Sequence, residues 1–177
     1  TSGSTGRPKG VVVEHRQLAA VAAAWPALYG LAPGSRYLQM ASASFDVFAA
    51  DLVRAWSAGG CVVLCPRALL GDGAGLYAFM RGNAIAFADF VPAVLDALLD
   101  AVEAAGGDLH FLHAAVCGSD LWTPRSAQRL RRLCAPGARL YNAYGLTEAA
   151  VDTTHHALPE DAGALDASRA AGPGAET

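Results

Sequence analysis

The sequence predicts an α/β fold: a mostly parallel sheet with helices on its faces. Two observations carry this. Short apolar runs rich in β-branched residues alternate with longer amphipathic segments, the order that builds strand–helix–strand units. Glycine pairs and prolines then mark the joins, at Gly59-Gly60, Pro92, Gly106-Gly107 and Pro124.

Taken in order, residues 11–14 (Val-Val-Val-Glu) read as a strand, and 15–28 as a helix with Pro26 near its end. Residues 37–40 form the next strand. Residues 45–57 have helical spacing and stop at Gly59-Gly60, a C-terminal signal. A strand at 61–64, a short helix at 75–81 and a strand at 84–88 follow. Residues 92–105 read as a long helix, with Pro92 in its first turn and Gly106-Gly107 after it. Strand, helix and strand return at 111–116, 124–134 and 139–141. In such sheets ligands sit beyond the carboxyl ends of the strands, and the polar motifs of this chain fall at such ends. The expected domain covers residues 1–158. Residues 159–177, rich in Ala, Gly and Asp, read as a weakly structured tail or the start of an interrupted connection.

A chain of 177 residues with 53% hydrophobic content can bury one substantial core, and its net charge of −3 favours neither disorder nor a nucleic-acid surface. No apolar run reaches the roughly eighteen residues a membrane helix needs, and the alanine-rich stretch 18–24 is too short. With no leader visible, the cytoplasm is the expected compartment. Cys61, Cys65, Cys117 and Cys134 show no metal spacing and read as reduced thiols. His110 and His113 border the apolar run 111–116, where strand geometry points them to opposite faces.

The chain opens on Thr1-Ser2-Gly3-Ser4-Thr5-Gly6-Arg7-Pro8-Lys9-Gly10. Glycines let backbone N–H groups approach an anion, hydroxyls add donors, and Lys9 adds a mobile positive charge. The parts suit a polyphosphate; the plain alternative is a Ser/Gly-rich linker. The common P-loop is excluded, because Lys9 is followed by Gly10 and β-branched residues instead of Ser or Thr opening a helix. The loop resembles that of the adenylate-forming family, which includes acyl-CoA synthetases, luciferases and the adenylation domains of nonribosomal peptide synthetases. The likeness implies that Thr1, Ser2, Gly3, Ser4, Thr5, Gly6 and Lys9 bind ATP, with Lys9 catalytic. It also implies that the fold is part of that family's large N-terminal subdomain.

A second motif, Asn142-Ala143-Tyr144-Gly145-Leu146-Thr147-Glu148, follows a strand. By itself it could be a strand-to-helix turn capped by Thr147. It also resembles the family's Asn-x-Tyr-Gly-Pro-Thr-Glu motif, with Leu146 at the usual proline. The likeness implies nucleotide contacts from Asn142, Ala143, Tyr144 and Gly145, with Tyr144 stacking on adenine. Thr147 would contact the α-phosphate and Glu148 would hold Mg²⁺, both counted as catalytic. Gly118-Ser119-Asp120 resembles the adenine-side strand end, which places Gly118 in the nucleotide site.

Asp46, between Phe45 and Val47-Phe48, is a helix cap or a charge with a buried partner. The segment also resembles the Phe-Asp motif of amino-acid-activating domains, in which the aspartate pairs with the substrate's α-ammonium. Extending the likeness gives a substrate pocket of Asp46, Val47, Ala50, Asp89, Ala115, Cys117, Ala143, Val151 and Asp152. Asp89 lies in an apolar context and is a loop or cap residue or a pocket acid. Two acids beyond the amine anchor favour a long cationic side chain, best a guanidinium.

The resemblance, over residues 1–156, implies an ATP- and Mg²⁺-dependent ligase that forms an aminoacyl-AMP, with an arginine-like substrate expected. The acyl group would pass to phosphopantetheine on a carrier-protein domain, alongside condensation domains of the same assembly line. Neither nucleic acid nor membrane is an expected partner. An acyl- or aryl-CoA ligase and a catalytically incomplete nucleotide-binding fragment remain alternatives. Nothing after Thr154 resembles the family's ribose-binding aspartate, hinge or C-terminal lysine, so this piece is expected to have little activity alone.

Overall fold

The computed structural model describes residues 10–161. The opening loop through Lys9, and the tail from residue 162, lie outside the described residues. The order is α1 (His15–Tyr29), β1 (Arg36–Gln39), α2 (Asp46–Ser57), β2 (Cys61–Leu64), α3 (Gly73–Gly82) and β3 (Phe87–Phe90). Then come α4 (Pro92–Ala104), β4 (Ala114–Gly118), α5 (Pro124–Leu133), β5 (Arg139–Tyr144) and β6 (Thr154–Ala157). The strands form one sheet in the order β2-β1-β3-β4-β5-β6, parallel except for the antiparallel β6 at its edge.

Strand alternation divides the core in two. Leu38, Ala88, Ala115 and Cys117 face α3, α4 and α5, among Leu76, Met80, Leu95, Leu99 and Leu130. Tyr37, Phe87, Ala114 and Val116 face α1 and α2, among Trp25, Tyr29, Ala50 and Ala55. The predicted fold class holds. Among the described residues, no helix is long and apolar enough to cross a membrane.

Four local expectations are corrected. Residues 11–14 are not a strand: Val12 is 92% exposed, and Glu14 instead starts α1 by exchanging hydrogen bonds with Gln17. The strand expected at 84–88 begins at Phe87, because Ala84 turns with φ +48° and Ala86 N–H donates to Arg36 O before the β1 register starts. The strand expected at 111–116 begins at Ala114, since Leu112 N–H turns back to Leu109 O. That leaves His110 and His113 outside the strand, and the opposite-face argument does not apply to them. Strand β6 was not expected at all.

Helix α5 is started by Thr123, whose Oγ1 accepts the Ser126 N–H at 3.2 Å, with Pro124 in the first turn. Thr123→Ala should lower the stability of the folded chain by about 1 kcal/mol, read by urea unfolding.

Candidate functional site

A cavity of about 620 Å³ opens where β3, β4 and β5 end and α2 begins. Close backbone approach shapes it. A Cβ at Gly118 would lie 2.6 Å from Ala143 O on the neighbouring strand. At Gly145 a Cβ would collide with Val151 O, so the loop after β5 folds back there only on glycine. The return is sharp. Ala150 and Val151 have φ of +61° and +80°, costly for a β-branched residue, and Thr153 N–H closes on Tyr144 O at 3.0 Å.

Gly118, Asn142, Ala143, Tyr144, Gly145, Thr147 and Glu148, the residues expected at the nucleotide, all line this cavity. The Tyr144 side chain is 63% exposed, leaving a ring face open for stacking. Among the described residues, no three His, Cys, Asp or Glu groups gather as a metal cage. A lone carboxylate such as Glu148 suits Mg²⁺, which takes one or two carboxylates and fills its shell with phosphate oxygens and water. The residues present therefore fit a phosphate-borne Mg²⁺.

Of the residues expected at the substrate, Asp46, Val47, Asp89, Ala143, Val151 and Asp152 line the same cavity. Asp46 is the first residue of α2; the N-cap is Phe45, which offers no side-chain bond. Asp46 Oδ1 accepts the Val47 N–H at 2.9 Å, and the residue also lines the two neighbouring cavities, of about 250 and 540 Å³. The structure does not bring Ala50, Ala115 or Cys117 to these walls. Ala50 is 0% exposed in the α1–α2 core, and Ala115 and Cys117 are 1% exposed on the α4–α5 side of the sheet. Burial pushes the Cys117 thiol well up, keeping it protonated.

The largest departure is Arg54, on the last turn of α2, which the sequence reading did not single out. Its guanidinium is fully buried. Nη1 donates to Asp51 Oδ1 at 3.1 Å and to Asp89 Oδ2 at 2.7 Å; Nη2 donates to Asp152 Oδ2 at 2.5 Å. Trp25 stacks 4.8 Å from it and adds its own Nε1–H to Asp152 Oδ2 at 3.1 Å. Asp89 and Asp152 are thus neither cap residues nor unpaired acids awaiting a substrate: each already gives one oxygen to Arg54. A signal existed. Arg54 sits four residues after Ala50, on the helix face that the sequence reading had assigned to the pocket.

Burial dominates the electrostatics of this cluster. Burial pushes the Asp51 carboxyl well above the usual range, although Arg54 opposes it. Burial raises Asp89 too, again against the pull of Arg54. Burial works against the charge of Arg54, yet Asp89, Tyr29, Asp152 and Asp51 together hold its pKa well above the ordinary value. Burial lowers His155, whose Nε2 lies 3.1 Å from the Tyr29 hydroxyl, so that ring adds no charge at neutral pH.

A family model described as "AMP-binding enzyme" matches residues 1–173. The chain belongs to this family. Over 160 residues it is 36% identical to gramicidin S synthase 2 of Brevibacillus brevis, covering 90% of this chain and 4% of that protein. Among solved structures it resembles the nonribosomal peptide synthetase FmoA3, with a TM-score of 0.78 and 27% identity over 85% of this chain and 16% of that one. The N-terminal subdomain of Klebsiella oxytoca NpsA, in complex with 3-hydroxybenzoyl-AMSN, aligns with TM-score 0.76 and 27% identity over 93% and 40%. The chain therefore has the mostly parallel sheet and flanking helices of such an N-terminal subdomain. The chain spans only a small part of the length of these relatives.

Proposed function

We propose that this chain is the central part of an adenylation domain that converts an amino acid with a guanidino-type side chain to its aminoacyl adenylate. The position of Asp46 carries the reading: a carboxylate at the first turn of α2, lining the cavity that Tyr144, Thr147 and Glu148 also line. Its charge suits a substrate α-ammonium, which the acids activated by acyl- and aryl-CoA ligases lack. The substrate carboxylate attacks the α-phosphorus of ATP; one P–O bond forms, the bond to pyrophosphate breaks, and acyl-AMP remains. Two anions meet in that step, so donors must surround the phosphates: the glycine-rich loop, Lys9 and Thr147. Magnesium, when bound through Glu148, supplies further neutralisation of phosphate charge. A carrier-domain phosphopantetheine thiol then takes the acyl group and AMP leaves, in a cytoplasmic assembly line with condensation domains.

Asp89 and Asp152 support the cationic side chain: both line the cavity, and each gives only Oδ2 to Arg54, so a substrate guanidinium could engage the other oxygen. Amino-acid-dependent pyrophosphate exchange by the intact domain should favour arginine or a related guanidino acid. Citrulline, the near-isosteric neutral analogue, should exchange at least about tenfold less efficiently. Equal use of citrulline, or a preference for an acidic or apolar amino acid, would overturn the substrate class.

A further inference from the structure

We infer that Arg54 is a specificity-determining residue, a buried counter-ion that sets the charge the pocket acids Asp89 and Asp152 present to the substrate side chain. The inference rests on the proposed function, and it concerns a residue outside the nine pocket positions.

Arg54 is fully buried, so it reaches the cavity only through its partners. Asp89 and Asp152 keep 11% and 8% side-chain exposure and line the cavity while each gives Oδ2 to Arg54. Asp51, 3% exposed, competes for Nη1 from below and does not line that wall. A stacked guanidinium bonded to three acids from α2, β3 and the loop before β6 has little freedom to move. Electrostatically, the substrate meets two acids whose negative charge is reduced by one shared cation.

The other titratable neighbours do not compensate. Tyr29 on α1 and Tyr37 on β1 are pushed up by burial and stay neutral. Cys117 on β4 is held as the thiol and His155 on β6 as the uncharged ring. Asp46, at the far end of α2, adds another negative charge that acts on Asp89. Among the described residues, Arg54 is the only arginine or lysine paired with Asp89 or Asp152; His155 Nε2 also lies 3.6 Å from Asp152 Oδ2 and adds a positive charge only when protonated. A cationic substrate would be the second.

The test measures the ratio of kcat/KM for arginine over citrulline across about pH 5–9 in the intact domain, by pyrophosphate exchange. In the wild type the ratio should fall in acid as Asp89, whose carboxyl burial raises, takes up a proton. Arg54→Met should move that fall upward by about one pH unit, a tenfold gain in proton affinity. Asp51→Asn should move it downward, because Nη1 then serves Asp89 against one fewer negative charge. Opposite displacements are not expected from general loosening of the fold. An unmoved fall in Arg54→Met, or displacement of both variants in one direction, would overturn the inference. Should Arg54→Met fail to fold, the downward shift in Asp51→Asn decides, and its absence counts against Arg54. A wild type that favours citrulline at every pH would sink the proposed substrate class, yet opposite shifts in the two variants would still uphold the role of Arg54.

Discussion

Asp46→Asn should abolish most amino-acid activation, lowering kcat/KM for the amino acid by on the order of 10²–10³-fold, with ATP affinity unchanged. Removing one partner of a desolvated charge pair costs about 2–5 kcal/mol, which corresponds to that range. The substitution is close to isosteric and keeps an oxygen for the Val47 N–H, so the start of α2 survives. What the helix itself loses is one acidic group in its first turn, about 0.3–1 kcal/mol. The two magnitudes separate the roles. A structural Asp46 predicts a small drop in stability and little change in kinetics; a substrate anchor predicts a collapse in kcat/KM on a folded protein. Kinetics of exchange beside ATP titration and urea unfolding decide this. A loss under about threefold, or a parallel loss of ATP affinity, would remove Asp46 from the substrate site.

Much of this site was legible because its chemistry depends on local sequence. Asn142 to Glu148 and Asp46 are contiguous motifs, and all of them reach the cavity. The fold class was legible too, since strand and helix alternate with clear stops. What failed was whatever depended on pairing in three dimensions. Residues 111–112 carry strand-like apolar character, but Leu112 is buried by a turn, and burial selects for apolar residues whatever the backbone does. Strand β6 is short and reads Thr-His-His-Ala, so its pattern gives little signal before β5 is there to pair with it. Ala115 and Cys117 lie on a strand that ends at the cavity, but their side chains project to its other side. Arg54 escaped for a related reason. A basic residue in the last turn of a helix has an ordinary explanation in the helix dipole; its spacing from Ala50 gives the face but not the partners, which lie 35 and 98 positions away.

Arg54→Met should reduce the stability of the intact domain by about 3–5 kcal/mol near pH 8, and by distinctly less near pH 5. Methionine retains much of the apolar contact with Trp25, Tyr29 and Phe87, so the principal loss is the cation between three carboxylates. The sign follows from proton binding. Burial already raises Asp51 and Asp89 in the folded protein, so the native state keeps protons that the unfolded chain releases as pH rises past the ordinary carboxylate range. More protons bound to the native state means stability falls with rising pH across that window. Without Arg54 both groups rise further, the window extends upward, and the gap between variant and wild type widens with pH. Below the carboxylate range the acids are neutral in both proteins and the gap closes. Urea unfolding at the two pH values measures it; an equal loss at both would mean that packing, and not charge, was removed. Asp51→Asn should do the reverse, flattening the pH slope and leaving the domain more stable than wild type near pH 8, because it removes a titrating acid that burial disfavours. A fold in which deleting one member of a buried ion cluster strengthens it is not using that cluster chiefly for stability. With Asp89 and Asp152 lining the cavity, that outcome would support the role inferred for Arg54, setting how much negative charge a substrate side chain meets.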